Sequence, residues 1–279
     1  MAQAIVVDTS RSPHARMQGV PVNAVRLTDD FLEPKRRVNR AQGIPAQIDL
    51  CERTGRINNF RIAAGRMKGK HRGPGHYDTE LYKLMEAVAW ELAQKPDTRR
   101  EAWLREMTAL VAAAQRPDGY LNTFYQLHPK KPRWTDFSHG HELYNSGHLI
   151  QAGIAIKRAI GDEGLFRVAL KWAEHVRKRF GPKAHPAAPG HPEVEMALVE
   201  LYRETRDRRW LDQARLFIAR RGTPDSRLGG WFNQQDHMPV RDQREPIGHA
   251  VRQMFLASAV ADCLAEKPDE PMRESLMEL

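Results

Sequence analysis

Cysteine is almost missing. Only Cys51 and Cys263 occur in 279 residues. Neither stands in a CxxC pair or at a metal-ligand spacing, which excludes a disulfide scaffold, a zinc finger and a thioredoxin-type redox centre. Both fall in helical patterns, QIDLCER and VADCLAE, and read as reduced, packed thiols. No apolar run approaches the roughly 18 residues of a membrane helix, so no membrane partner is expected. The opening residues lack a basic start followed by an unbroken apolar core, so no secretory leader is read and a cytoplasmic location is expected. The GxGxxG turn, the phosphate-binding P-loop and the GxSxG elbow are absent as well. Nucleotide-dependent and serine-hydrolase chemistries therefore have no sequence support.

What is present is an ordinary globular composition, 41% hydrophobic and 28% charged. Lys and Arg number 44 against 35 Asp and Glu, giving a formal charge of +9. Such an excess suits an anionic partner. The cations are dispersed, however. Lys35-Arg36-Arg37, Arg177-Lys178-Arg179 and Arg206 to Arg209 fall on separate predicted helices or their ends, where they complement the helix dipole. A solvated surface is expected, with no nucleic acid partner.

Residues 1–27 show no strong period and read as an extended lead-in. Residues 28–279 read as one helical domain. A helical pattern begins near Asp30, breaks around Gly43 to Pro45 and resumes in AQIDLCERTG, with Gly55 as its C-terminal cap. Arg66 to Gly75 is a basic, glycine-rich loop. YDTELYKLMEAVAWELAQ starts a helix that Asp78 or Thr79 can cap, and Thr98 can cap the next. GYLNTFYQLHPKKPRW reads as a long ordered loop. HELYNSGHLIQAGIAIKRAIG pairs with LFRVALKWAEHVRKRFG, and HPEVEMALVELYRETRD pairs with RRWLDQARLFIARRG. A further helix runs from about Ile247 to Ala265. Consecutive hairpins without a sheet predict an all-α solenoid or closed toroid of helix pairs.

Four of the long helices open just after Gly-His: Gly75-His76, Gly140-His141, Gly190-His191 and Gly248-His249. In a ring of antiparallel pairs, alternate helices start at one end. That places His141, His191 and His249 at a common mouth, with Tyr77 and Asp78 nearby. Glu142, Glu193 and Glu245 stand beside the histidines, to orient a ring or bind a hydroxyl. A single histidine of this kind is ordinarily a capping or packing residue. Three in register favour a site. HELYNSGH lacks the HExxH spacing of a zinc protease: His141 and His148 lie about 10 Å apart along a helix and cannot share one ion. A mouth of histidines, carboxylates, Trp134, Trp231 and tyrosines suits a neutral, hydroxyl-rich ligand. Trp90, Trp103, Trp172 and Trp210 read as core.

At these residues the chain resembles glycoside hydrolase family 127, the β-L-arabinofuranosidase-like proteins. The matching stretches run in order from about residue 25: PAQIDLCERTGRINNF, YDTELYKLMEAVAW, AQRPDGYLNTFY, HELYNSGHLIQAG, GHPEVEMALVELYR and MPVRDQREPIGHAVR. The resemblance implies an (α/α)6 toroid that cleaves a terminal β-L-arabinofuranosyl linkage with retention. It places Gln47, His141, His191 and His249 in the sugar-binding subsite. It also implies a cysteine nucleophile on a zinc site, with a glutamate as acid/base, all downstream of the stretches matched here. Cys51 and Cys263 do not match those motifs. No catalytic residue, metal ligand or cofactor is therefore assigned within this chain, although zinc is expected in full-length relatives. The expectation is a carbohydrate-binding, incomplete toroid with little turnover alone, completed by a second chain or by self-association. Two other readings compete: a sugar isomerase or epimerase using paired histidines, and a non-catalytic carbohydrate-binding protein.

Overall fold

The computed structural model describes residues 4–279 and forms no strand among them. The helices are α1 (Leu32–Val38), α2 (Ile44–Arg53), α3 (Arg56–Ala63), α4 (Asp78–Gln94), α5 (Thr98–Ala114), α6 (Thr123–Leu127), α7 (Glu142–Ile160), α8 (Gly164–Phe180), α9 (Val194–Thr205), α10 (Arg208–Arg220), α11 (Ala250–Glu266) and α12 (Glu270–Glu278). They fold as two compact units. The first takes residues up to Val6, Gly19–Lys131 and Gln151–Lys171, and the second takes Val7–Gln18, Pro132–Ile150 and Trp172–Leu279. None of the helices is long and apolar enough to cross a membrane.

In the first unit, α4 and α5 form the expected hairpin. Leu81, Leu84, Met85, Val88, Ala89 and Leu92 supply the buried face of α4, and Leu104, Met107, Leu110, Val111 and Ala114 that of α5. This i, i+3/i+4, i+7 spacing is what drives the pair together. Gly55 is left-handed, at φ +86°, where α2 gives way to α3, as its cap role requires. Three local expectations are corrected. First, the chain does not break at Gly43 to Pro45. A π-helical turn over Asn39–Gly43 joins α1 to α2 and places Pro45 in the first turn of α2, where its missing N–H costs nothing. Second, Asp97, rather than Thr98, caps α5, accepting from the N–H groups of Arg99 and Arg100. Third, Asp78 does not cap α4. It is buried, and its carboxylate accepts 2.7 Å and 2.5 Å bonds from the Thr123 N–H and hydroxyl. Those bonds, with the Asn122 cap, hold α6, a short helix inside the stretch read as loop. Asp78 is thus a structural group, not one open to a mouth. Burial pushes its carboxyl up to about 6, against the lowering effect of the two Thr123 bonds.

The second unit contains the hairpins α9/α10 and α11/α12, with Asp207 and Asp269 capping their second helices. Trp172, Trp210, Phe180 and Phe217 are its largest fully buried rings. Arg203 of α9 is nearly inaccessible and reaches Glu200 at 2.9 Å and, on α11, Asp262 and Glu266 at 2.7 Å each. Its charge is matched on three sides, which is the condition for burying a cation. Glu266 also accepts a short hydrogen bond from the Ser12 hydroxyl, so the early segment of the chain is tied to the same knot.

Candidate functional site

The loops that enter α7, α9 and α11 are fixed by close backbone contacts. At Gly190 a Cβ would stand 2.1 Å from the Phe137 carbonyl oxygen. At Gly248, with φ +84°, it would stand 2.1 Å from that of Phe232. Both Gly-His dipeptides therefore need glycine for a close approach, with the histidine set immediately after it. Gln234 donates to Ser138 O at 2.8 Å, and Gln235 donates to Ile247 O and His249 O. These buried amides tie the loop before α11 to the loop before α7 and to itself.

Three of the four Gly-His histidines lie in this unit, and they converge. The ring of His191 is 6.1 Å from that of His141 and 6.2 Å from that of His249. Neither spacing allows ring-to-ring hydrogen bonding. Tyr144 lies 4.3 Å from His191, and Phe255 lies 5.7 Å from it. Behind His141, Tyr144 and His191 the crevice holds only about 10 Å³, so a sugar would have to sit in front of the rings. A roomier cleft of about 330 Å³, lined by Arg215, Val260, Cys263 and Met272, contains none of these histidines.

Each imidazole has a defined tautomer. His191 Nδ1 lies 2.8 Å from the Pro192 carbonyl and therefore carries the hydrogen. His141 Nδ1 donates in the same way to the His139 carbonyl. In the neutral ring both then carry the lone pair on Nε2. His249 is the opposite: it caps α11, accepting at Nδ1 from the Arg252 N–H at 3.5 Å, so Nε2 carries the hydrogen. The set thus combines two acceptors with one donor, a pattern that matches sugar hydroxyls, which both give and accept. Burial pushes the His191 pKa down to about 4. The Pro192 bond opposes that, and Arg252 and the other two histidines reinforce it, so the ring is neutral near pH 7.

Backbone strain collects here. His141 and Trp134 are non-glycine residues in the left-handed region, at φ 58° and 61°. The buried Glu142 carboxylate accepts from the Trp134 N–H at 2.7 Å and stabilises that conformation. Trp134 itself is buried and stacks on Trp172 at 5.7 Å, so the expected sugar-stacking Trp134 is a core residue. Trp231 is 54% exposed with its ring 5.9 Å from His139, and it remains accessible to a ligand. Glu245 is exposed, whereas Glu193 is fully buried with Oε1 3.6 Å from His148 Nδ1. Tyr144, His148 and Phe255 were not singled out as site residues by sequence. The signal was there in part: positions 141, 144 and 148 share one helix face. Tyr144 packs between His148 and His141, its ring 4.6 Å from His148 and 5.7 Å from His141.

Gln47 and His76 belong to the first unit. Gln47 is exposed on α2, and His76 packs edge-on against Tyr77 at 5.6 Å. Cys51 and Cys263 are buried thiols whose pKa values burial raises, Cys263 to about 12. They are poor candidates for a zinc thiolate or a nucleophile. Among the described residues no three His, Cys, Asp or Glu side chains are placed to hold a metal ion.

Comparison with known proteins shows the family of this chain. The family profile for the β-L-arabinofuranosidase, GH127 catalytic domain, matches residues 24–279. A non-reducing end β-L-arabinofuranosidase of Bifidobacterium longum subsp. longum is 34% identical over 230 residues, covering 74% of this chain and 35% of that protein. A GH127 β-L-arabinofuranosidase from Geobacillus stearothermophilus T6 superposes with a TM-score of 0.88 at 33% identity, covering 91% of this chain and 44% of that one. A second GH127 β-arabinofuranosidase structure gives the same score and identity over 100% of this chain and 44% of its own. The chain thus spans about a third of the curated relative and under half of either solved one. It shares their helical toroid-like fold class, and it belongs to the glycoside hydrolase family 127 catalytic-domain family.

Proposed function

We propose that this chain supplies the sugar-recognising part of a glycosidase site for β-L-arabinofuranosides or closely related glycosides, with His141, His191 and His249 binding the sugar hydroxyls. The observation that carries the reading is the convergence of three imidazoles of complementary tautomer at the starts of α7, α9 and α11. His191 and His141 accept from hydroxyls at Nε2, His249 donates, and Tyr144 or Phe255 offers a ring face to the C–H side of the sugar. The neutral His191 ring suits a neutral ligand, because no charge is buried there without a partner. Gln47 joins the subsite by family resemblance alone.

Cys51 and Cys263, buried with raised pKa values, do not suit the cysteine nucleophile that the family resemblance implies. The contribution assigned to these residues is accordingly binding and orientation. Calorimetric titration with methyl β-L-arabinofuranoside tests it. Saturable binding that His191→Ala weakens about ten- to a hundredfold is expected, since each lost hydrogen bond to a polar ligand removes about 1 to 3 kcal/mol. Tight binding untouched by His191→Ala and His249→Ala would remove the histidines from the subsite. An isomerase would interconvert free arabinose, and product analysis of the same mixture shows whether it does.

A further inference from the structure

Between Arg53 and Tyr77 the chain contains seven Arg or Lys residues and no Asp or Glu. Three of the seven are occupied. Arg53 pairs with Asp49 at 2.6 Å, Arg61 pairs with Glu52 at 2.6 Å, and Arg56 lies 4.2 Å over the Tyr77 ring. The other four, Arg66, Lys68, Lys70 and Arg72, are exposed, and no described carboxylate reaches them within salt-bridge distance. The carboxylates nearest in sequence are already committed: Glu52 to Arg61, Glu80 to Lys83 at 2.8 Å, and Asp78 to Thr123.

This loop is held in place. Asn59 grips Arg72 twice, donating to its carbonyl and accepting from its N–H, each at 2.9 Å. Gly73, at φ +87°, lies against the Tyr77 ring so closely that a Cβ would clash with it. His71 packs its edge on Phe124 at 5.3 Å and on His128 at 5.4 Å. Across Phe124 stands Lys131, its ammonium 4.7 Å from the ring centre, beside the exposed Lys130. The first unit thus carries four exposed cations on the loop that His71 anchors to Phe124, and Lys130 and Lys131 on the segment whose Lys131 lies over the same ring.

We propose that this surface binds a carboxylated glycan, a uronate polymer. The identification of the polymer as a glycan rests on the function proposed above. The charge requirement rests on the loop alone. An array of cations without counter-charges attracts a polyanion and pays little ordering cost when its backbone is already fixed. Nucleic acid is disfavoured, because single-strand binders interleave open aromatic faces with their cations. Here Phe124 is half-buried, with Lys131 over it and two imidazoles at its sides.

Affinity electrophoresis of the whole chain tests the proposal, with gels containing polygalacturonate, neutral arabinan or single-stranded oligonucleotide at equal monomer concentration. Retardation by polygalacturonate is expected, reduced about tenfold or more in the double variant Lys68→Glu/Lys70→Glu and by raising salt from about 50 to 500 mM. Both lysines are exposed and lie outside the hydrogen-bond network, and an unchanged melting temperature confirms that the variant folds. Equal retardation by neutral arabinan, indifference to the double variant, or stronger retention by the oligonucleotide would each overturn the proposal. His191→Ala serves as the separating control. Polygalacturonate retention should survive it, so failure of the arabinoside site and failure of the cation surface give different patterns.

Discussion

At the scale of single residues, the site depends on imidazoles of the correct tautomer, and on a neutral His191. His191 illustrates the linkage. Its folded pKa is held down to about 4, while an ordinary imidazole titrates near 6.5. Between those values the unfolded chain binds a proton that the folded chain refuses, so stability falls as pH falls through that window. His71 is also depressed to about 4, chiefly by burial, and acts in the same direction. Asp78, raised to about 6, opposes them, since its ionisation on going up from pH 3.8 costs the folded state. Comparison isolates His191: the loss of melting temperature between pH 7 and about pH 4.5 should be smaller in His191→Asn than in the parent. An identical slope in the two proteins would contradict a depressed His191.

At the scale of elements, most helices were legible because their apolar spacing and terminal signals agree. The α4/α5 and α9/α10 hairpins follow directly from their stripes, and Gly-His marks the entries to α7, α9 and α11. Other features were not legible, for physical reasons. The helix at Thr123–Leu127 is too short to show a period and exists because Asp78, 45 residues earlier, accepts from its first residue. Pro45 reads as a breaker unless one knows that a π turn precedes it. Trp134 looks like an exposed stacking residue until the left-handed backbone turns it inward. Asp78→Ala should destabilise the protein by about 2 to 4 kcal/mol, because it leaves the buried Thr123 N–H and hydroxyl unmatched. Urea unfolding measures this, and a loss below about 1 kcal/mol would show that water replaces the carboxylate. Gly147 is a second test within α7. An added Cβ would fall 1.4 Å from Glu193 Oε2, and the Val194 backbone stands 2.8 Å away. Gly147→Ala must displace the buried Glu193. It should cost about 2 kcal/mol or more and weaken sugar binding as well, because Glu193 sits two residues from His191.

At the scale of the molecule, family membership and the helical class were legible from ordered motifs, and residues 24–279 carry them. The charge was only partly legible. The cations read as dispersed along the sequence, yet Lys131 lies over Phe124, the ring on which His71 of the Arg66–Arg72 loop also packs. Long-range polar knots were invisible from sequence. Arg203, with acids on α9 and α11, is one, and Arg203→Met should test whether the charge is needed or only the volume. Removing one member of such a cluster strands buried carboxylates, and a loss of about 3 to 5 kcal/mol in urea unfolding is expected. A neutral result would mean that the acids protonate or hydrate freely.

The central claim is that three imidazoles from separate helix starts serve one sugar. Imidazole nitrogen spectra of the chain, recorded while methyl β-L-arabinofuranoside is titrated in, test this most directly. The account predicts that the Nε2 signals of His141, His191 and His249 move together with one affinity, while His185 and His175 stay still. Movement of one alone, or of none while sugar binds, would contradict it.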